Sequence, residues 1–117
     1  MRRGEIWAVA GGGDYAGKPR PAVILQDDRF DGTDSITVAV FTTDPTDAPL
    51  FRVVVEPSEA NGLDATSRIM ADKVTTVRKT RLEHRMGRLK DEDIVRLNRA
   101  LAVFLGLAAG RGGRRSA

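Results

Sequence analysis

Hydrophobic positions in the first three quarters of the chain come in short clusters separated by breakers. Glu5 to Ala10 (EIWAVA) is a brief segment of strand formers, and the glycine- and proline-containing stretch Gly11–Pro19 follows as a loop. Pro21 to Gln26 (PAVILQ) predicts a buried strand, its proline at the first position, where a missing N–H does least harm. Asp27 to Ser35 is an acidic turn region. Ile36 to Thr43 (ITVAVFTT) is the clearest strand, dominated by β-branched and aromatic residues. After a loop with two prolines, Asp44 to Pro49, the pattern predicts a strand at Phe51–Glu56 and a turn at Pro57–Leu63. Ser67–Ala71 and Lys73–Val77 read as two short strands around Asp72. A basic stretch follows, and Met86–Leu89 adds a last short strand.

The period then changes. Ile94, Leu97, Leu101, Phe104, Leu105 and Ala108 fall on one face of a helix. Asp91, Glu92 and Asp93 sit where a helix start favours negative charge, and Gly110 is the predicted stop. Five or six strands without intervening helices imply an antiparallel, strongly bent sheet or small barrel, with the terminal helix covering an open face.

With 117 residues and 41% hydrophobic content, the chain supports one core: a single domain at 1–109 and a basic, disordered tail at 110–117. The absence of cysteine excludes a disulfide scaffold, thiolate metal sites and a thiol nucleophile. One histidine, His84, argues against multi-histidine metal centres. The net charge of +3 arises in the tail, whose three arginines leave sixteen basic against sixteen acidic residues elsewhere. Within that balance, 27–64 is acidic. Residues 78–90 carry six cations against Glu83, which reads either as a surface for a polyanion or an acidic protein, or as a solvated strand-and-turn surface. The longest apolar run, Ala100–Ala109, is half of the ~20 residues a membrane span needs. Glu5 and the glycine run also interrupt any signal-peptide core, so a soluble, cytoplasmic protein is expected.

Two places combine reactive side chains with breaks in regular structure. In Lys18-Pro19-Arg20-Pro21 two prolines stiffen the chain around an arginine at a strand's entrance, and a guanidinium grips two phosphate oxygens at once. Taken alone, the preceding glycines describe a hairpin loop as well as a phosphate cradle, and they lack the spacing of a P-loop. At Thr42-Thr43-Asp44 hydroxyls end an apolar strand, where they can bond a phosphate or a ribose; threonine is equally an ordinary strand former.

In this order the pieces resemble the MazF/PemK (Kid-like) family of toxin endoribonucleases. The matching segments are Arg3-Gly4-Glu5-Ile6-Trp7, Lys18–Gln26, Val38–Thr43, Ser67–Val77, and Gly87-Arg88-Leu89 leading into the acidic helix start. The similarity spans residues 2–108. It implies a mainly β (α+β) fold, an SH3-like small barrel of five to seven mostly antiparallel strands with a C-terminal helix, assembled as a homodimer. It also implies cleavage of single-stranded RNA without a metal or other cofactor, by attack of a ribose 2′-OH that leaves a 2′,3′-cyclic phosphate and a 5′-OH. Arg20 and Thr42 take the positions of the family's catalytic pair, and Lys18, Thr43 and Asp72 are expected to contact RNA. Where some members carry a glutamate or histidine base in the first loop, this chain has Asp14, Tyr15 and Lys18, which makes Asp14 the candidate base or loop contact. A second family arginine is Met70 here, and His84 matches no family motif.

The resulting expectation is a toxin of a type II toxin–antitoxin system, an RNA endonuclease restrained by a cognate antitoxin with an acidic C-terminal segment. The alternative is a non-enzymatic, CcdB-like toxin that binds DNA gyrase on the same fold. A plain RNA-binding barrel would need stacking aromatics, and with Trp7, Tyr15 and four phenylalanines the chain has few to spare.

Overall fold

The computed structural model describes residues 1–11 and 18–108; Asp14, Tyr15 and the basic tail lie outside the described residues. Six strands, β1 (Glu5–Val9), β2 (Arg20–Ile24), β3 (Ser35–Thr42), β4 (Arg52–Val55), β5 (Ser67–Arg78) and β6 (Leu82–Arg88), precede one helix, α1 (Asp91–Phe104). They form one antiparallel sheet in the order β4-β5-β3-β2-β1-β6. The expected mainly β architecture, an open, barrel-like sheet with a C-terminal helix, is what the chain adopts.

The connection lengths explain why this sheet bends. β5 and β6 are four strand spacings apart in the sheet order, yet only the 3₁₀ turn Lys79–Arg81 joins them. Four spacings in a flat sheet would measure about 19 Å, whereas the four Cα steps from Arg78 to Leu82 reach about 15 Å at most. The sheet therefore curls until the end of β5 meets the start of β6. Backbone hydrogen bonds carry the neighbouring ladders into this turn: Lys79 N donates to Asp34 O at 2.9 Å, continuing β3–β5, and Ala10 N to Arg81 O at 2.8 Å, continuing β1–β6.

Curling gives the sheet two apolar faces. Along β3, Ala39 and Phe41 join a first cluster with Ile6, Val23, Val53, Ile69 and Leu97, which α1 covers. Ile36 and Val38 point the other way into a second cluster with Val9, Ala22, Ile24 and Leu82. Ile6, Ile24, Ile69 and Leu97 are all essentially fully buried, and each such side chain contributes about 1.5–3 kcal/mol.

Three elements differ from the sequence pattern. The predicted strands on either side of Asp72 are one continuous β5. Its pairing with β3 passes from Ala39↔Val74 to Phe41↔Ile69, so β5 accommodates three extra residues in a bulge. A bulge interrupts alternation without ending a strand, which is why the pattern looked broken there. The helix ends at Phe104 rather than near Gly110. Gly106 takes the left-handed conformation (φ 79°), Gly106 N donates to Val103 O and Leu107 N to Ala102 O, the paired bonds of a Schellman stop. Leu105 and Ala108 consequently leave the apolar face. The last strand is also longer than its apolar signal, since β6 starts at Leu82 inside the basic stretch.

At Gly87 the turn at 58–62 rests directly on β6. A Cβ there would lie 2.3 Å from Ala60 O and 2.6 Å from Asn61 C, backbone atoms that Arg88 N helps hold by donating to Ala60 O. Gly87→Ala should destabilise the fold by about 2–3 kcal/mol, read as a lower urea midpoint with an unchanged slope.

Glu5 ties β1 to β6 and to the N-terminus. Its Oε1 accepts from Trp7 Nε1 (2.9 Å) and Arg2 N (3.0 Å), and Oε2 pairs with Arg85 Nε at 3.3 Å. Burial raises its pKa, but the Trp7 and Arg2 hydrogen bonds, the N-terminal charge and Arg85 outweigh it and hold the carboxyl below its ordinary 4.5. A depressed carboxylate contributes stability that is complete above the ordinary value and is lost as pH falls through the folded one. Glu5→Gln should thus flatten the fall in unfolding temperature between about pH 5 and pH 3; parallel curves for the two proteins would contradict this.

Candidate functional site

Arg20 opens β2 and Thr42 closes β3. These strands pair as Ala22↔Val40, Val23↔Ala39 and Ile24↔Val38. Continuing that register by two residues sets Arg20 across from Thr42, on the face shared by Ala22 and Val40. Directly opposed side chains in such a ladder have Cβ atoms about 4.5–5.5 Å apart. The two residues singled out from separate segments thus stand at the same end of one strand pair.

The face they share belongs to the second apolar cluster, and beside Arg20 it opens into a recess of about 300 Å³. Val9, Val38, Val40, Met70 and Val77 supply apolar walls, while Arg20, Lys73, Arg81 and Thr75 supply the polar lining side chains. Each cation comes from a different place: the start of β2, the β5 bulge, and the turn that closes the barrel. Gly11 also lines it, where the first loop begins. Arg81 is fixed by donating through its guanidinium to Ala10 O at 2.5 Å.

Thr42 is half-buried; its Oγ1 accepts from Asp44 N at 3.1 Å, and its β5 partner is Arg68. Thr43 and Lys18 are exposed. Asp44 is occupied locally, accepting from the Thr46 hydroxyl at 2.7 Å and from Thr46 N at 3.0 Å. Those bonds, the hydroxyl's first, hold its carboxyl below the usual range, so it stays charged. Asp72 sits at the bulge but is engaged by Arg52 of β4 in a two-pronged contact, Nε and one terminal nitrogen each 3.4 Å from a carboxylate oxygen. Asp14, the candidate base, lies outside the described residues. His84 is exposed on β6, opposite Ala8.

Much of the basic block at 78–90 is paired within the chain. Lys79 reaches Asp31, Arg85 reaches Glu5, Arg88 reaches Asp91, and Lys90 reaches Glu92. Of the block, Arg81 lines the recess. Sequence reasoning missed both Arg81 and Lys73 as neighbours of Arg20. The signal available was proximity of charge to strand ends; Lys73 lies in the β5 bulge, where alternation does not say which face a side chain takes.

A family model for PemK-like, MazF-like toxins of type II toxin–antitoxin systems matches residues 2–105. The chain belongs to this family. Among its relatives, the probable endoribonuclease MazF of Mycolicibacterium smegmatis is 58% identical over 108 residues, covering 92% of this chain and 99% of the relative. Endoribonuclease MazF9 of Mycobacterium tuberculosis is 30% identical over 116 residues, covering 92% and 98%. Among solved structures, a mycobacterial endoribonuclease in complex with its cognate antitoxin superposes with a TM-score of 0.77 at 25% identity, covering 92% of this chain and 96% of that one. A MazE–MazF crystal structure from Deinococcus radiodurans gives 0.72 at 18% identity, covering 91% and 95%, a likeness of fold. Family membership accounts for the Arg-Pro strand and the β5 segment occurring together in one chain.

Proposed function

We propose that this toxin is a sequence-specific endoribonuclease that cleaves single-stranded RNA without a metal. The observation that supports the reading is that Arg20 and Thr42 stand at the same end of the paired strands β2 and β3, with Arg20 lining a recess that also holds Lys73 and Arg81. In the proposed reaction a ribose 2′-oxygen attacks the adjacent phosphorus, the 5′-oxygen leaves, and the products are a 2′,3′-cyclic phosphate and a 5′-OH. The 2′-OH proton is lost and the leaving oxygen gains one, so the RNA bears no net oxidation or added water. Arg20 stabilises the charge that grows on the phosphoryl oxygens, where a preorganised guanidinium is worth most. Thr42 bonds the phosphate or orients the 2′-OH. Lys18 and Thr43, both exposed, suit contacts along the RNA backbone. Asp14 is carried in this reading as a candidate base or loop contact.

The working form in this proposal is a homodimer held by an antitoxin until release. Its support is an unusual concentration of exposed apolar side chains: Leu50, Val103, Phe104, Leu105 and Leu107 are 48–72% exposed, and Phe104 lies against Phe51 with ring centres 6.1 Å apart. Patches of this kind mark association surfaces. The antitoxin would bring an acidic, extended segment to the cationic recess. No helix among the described residues is long and apolar enough to cross a membrane.

Purified protein incubated with RNA in EDTA should yield fragments with 2′,3′-cyclic phosphate and 5′-OH ends. Arg20→Ala should lower the rate by about 10²–10³ with the fold intact, and Arg20→Lys should restore only part, since an ammonium lacks the two-pronged contact. Thr42→Ala should slow cleavage more than it weakens RNA binding, because one neutral hydroxyl adds only about 0.5–1.5 kcal/mol to affinity. Near wild-type cleavage by Arg20→Ala refutes the assignment. Sedimentation at micromolar protein should show dimers; monomers alone would remove the dimeric form.

A further inference from the structure

Two cations of the recess come from strands on opposite sides of β3. On one side the regular pair Ala22↔Val40 leads back to Arg20 of β2. On the other, β5 sets Met70 to Lys73 against the single residue Val40, between the pairs Phe41↔Ile69 and Ala39↔Val74. Arg20, Val40, Met70 and Lys73 all line the recess. β2 and β5 stand two strand spacings apart, about 10 Å, so a guanidinium and an ammonium on them can converge on one phosphate above Val40. A regular ladder fixes the β2 side. The β5 side is a bulge, which interrupts the ladder and takes its shape from other contacts.

Those contacts come from β4. Ala71 is buried in the first apolar cluster, and its N donates to Phe51 O at 2.9 Å. Asp72, next in the chain, is gripped by Arg52, whose Nε and one terminal nitrogen each lie 3.4 Å from a carboxylate oxygen. The Arg52 and Asp72 side chains are only 14% and 16% exposed, so little water screens the pair. A two-pronged contact fixes the carboxylate's orientation as well as its distance. Arg52 is itself held: its N donates to Ala48 O at 2.8 Å, and its guanidinium lies 5.9 Å from the centre of the Phe51 ring. The residue that follows the gripped carboxylate is Lys73.

We propose that Arg52 is a positioning residue for RNA cleavage: through Asp72 it fixes the β5 bulge, and the bulge holds Lys73 within reach of the phosphate that Arg20 binds. The proposal rests on the endoribonuclease reading above. It gives Asp72 an internal role, as the link between a β4 arginine and a recess lysine, in place of the RNA contact expected from the sequence.

The test is a cycle of substitutions read by single-turnover cleavage of one RNA, with thermal unfolding as the check on the fold. Lys73→Met should slow cleavage by about tenfold or more. Arg52→Met should slow it by about tenfold as well, because a displaced group loses rate steeply with distance. In the Lys73→Met background, Arg52→Met should cost no more than about threefold, since the group it positions is already gone. Arg52→Lys should restore only part of the rate, an ammonium being unable to make the two-pronged contact. Should Arg52→Met fail to fold, the Arg52→Met/Asp72→Asn protein, which leaves no unpaired buried charge, takes its place in the cycle. Cleavage by Arg52→Met at the unsubstituted rate overturns the proposal. So does a double variant that loses the full product of the two single effects, which is the signature of a general loss of stability or of independent action. Absence of any cleavage by the unsubstituted protein overturns the endoribonuclease reading and this one with it, whereas normal cleavage with either of the two preceding results overturns this one alone.

Discussion

The three-residue link between β5 and β6 is the constraint from which the rest of the molecule follows. It is too short to cross a flat sheet, so the strands must curl until the second strand in the order meets the last. Curling converts one face of the sheet into an enclosed cluster of Val9, Ala22, Ile24, Ile36, Val38 and Leu82, with no helix among the described residues laid over it. It also carries Arg81 to the mouth of that cluster, beside a strand start far away in sequence. The recess is what remains at the open end of the curl.

The outer face is completed differently. Leu97 and Ala100 of α1 pack on the first cluster. Arg96 reaches from the helix to the edge strand, donating to Val54 O at 2.8 Å and to Asp93 at 2.9 Å. A guanidinium here occupies an edge carbonyl that would otherwise invite another strand. At the opposite edge, β6 carries two register shifts against β1, which protect it in another way. Both edges are thus blunted, and the exposed apolar side chains concentrate instead around the end of α1 and Leu50.

Charge in this protein is local before it is collective. Ion pairs join residues far apart in the sequence: Asp31 of the acidic middle with Lys79 of the basic stretch, Asp72 with Arg52, and Glu5 with Arg85. Arg52 and Asp72 are largely buried; the more exposed pairs contribute little to stability, but they remove cations from the general surface. What remains concentrated is the set around the recess, where three cations face an apolar floor.

Periodicity alone determined the order of elements, the antiparallel class and the presence of a covering helix, because burial on two sheet faces and one helix face writes directly into residue type. Composition removed cysteine chemistry, and residue order carried the family resemblance with Arg20 and Thr42. Three things came only with the tertiary structure. The helix stop at Gly106 was hidden inside an apolar run, since a left-handed residue is a matter of backbone angle rather than polarity. The continuity of β5 was hidden by its bulge, which breaks alternation without breaking hydrogen bonding. The recess itself was invisible, because its lining comes from β1, β2, β3, β5 and the closing turn, and their meeting depends on how far the chain between Arg78 and Leu82 can reach.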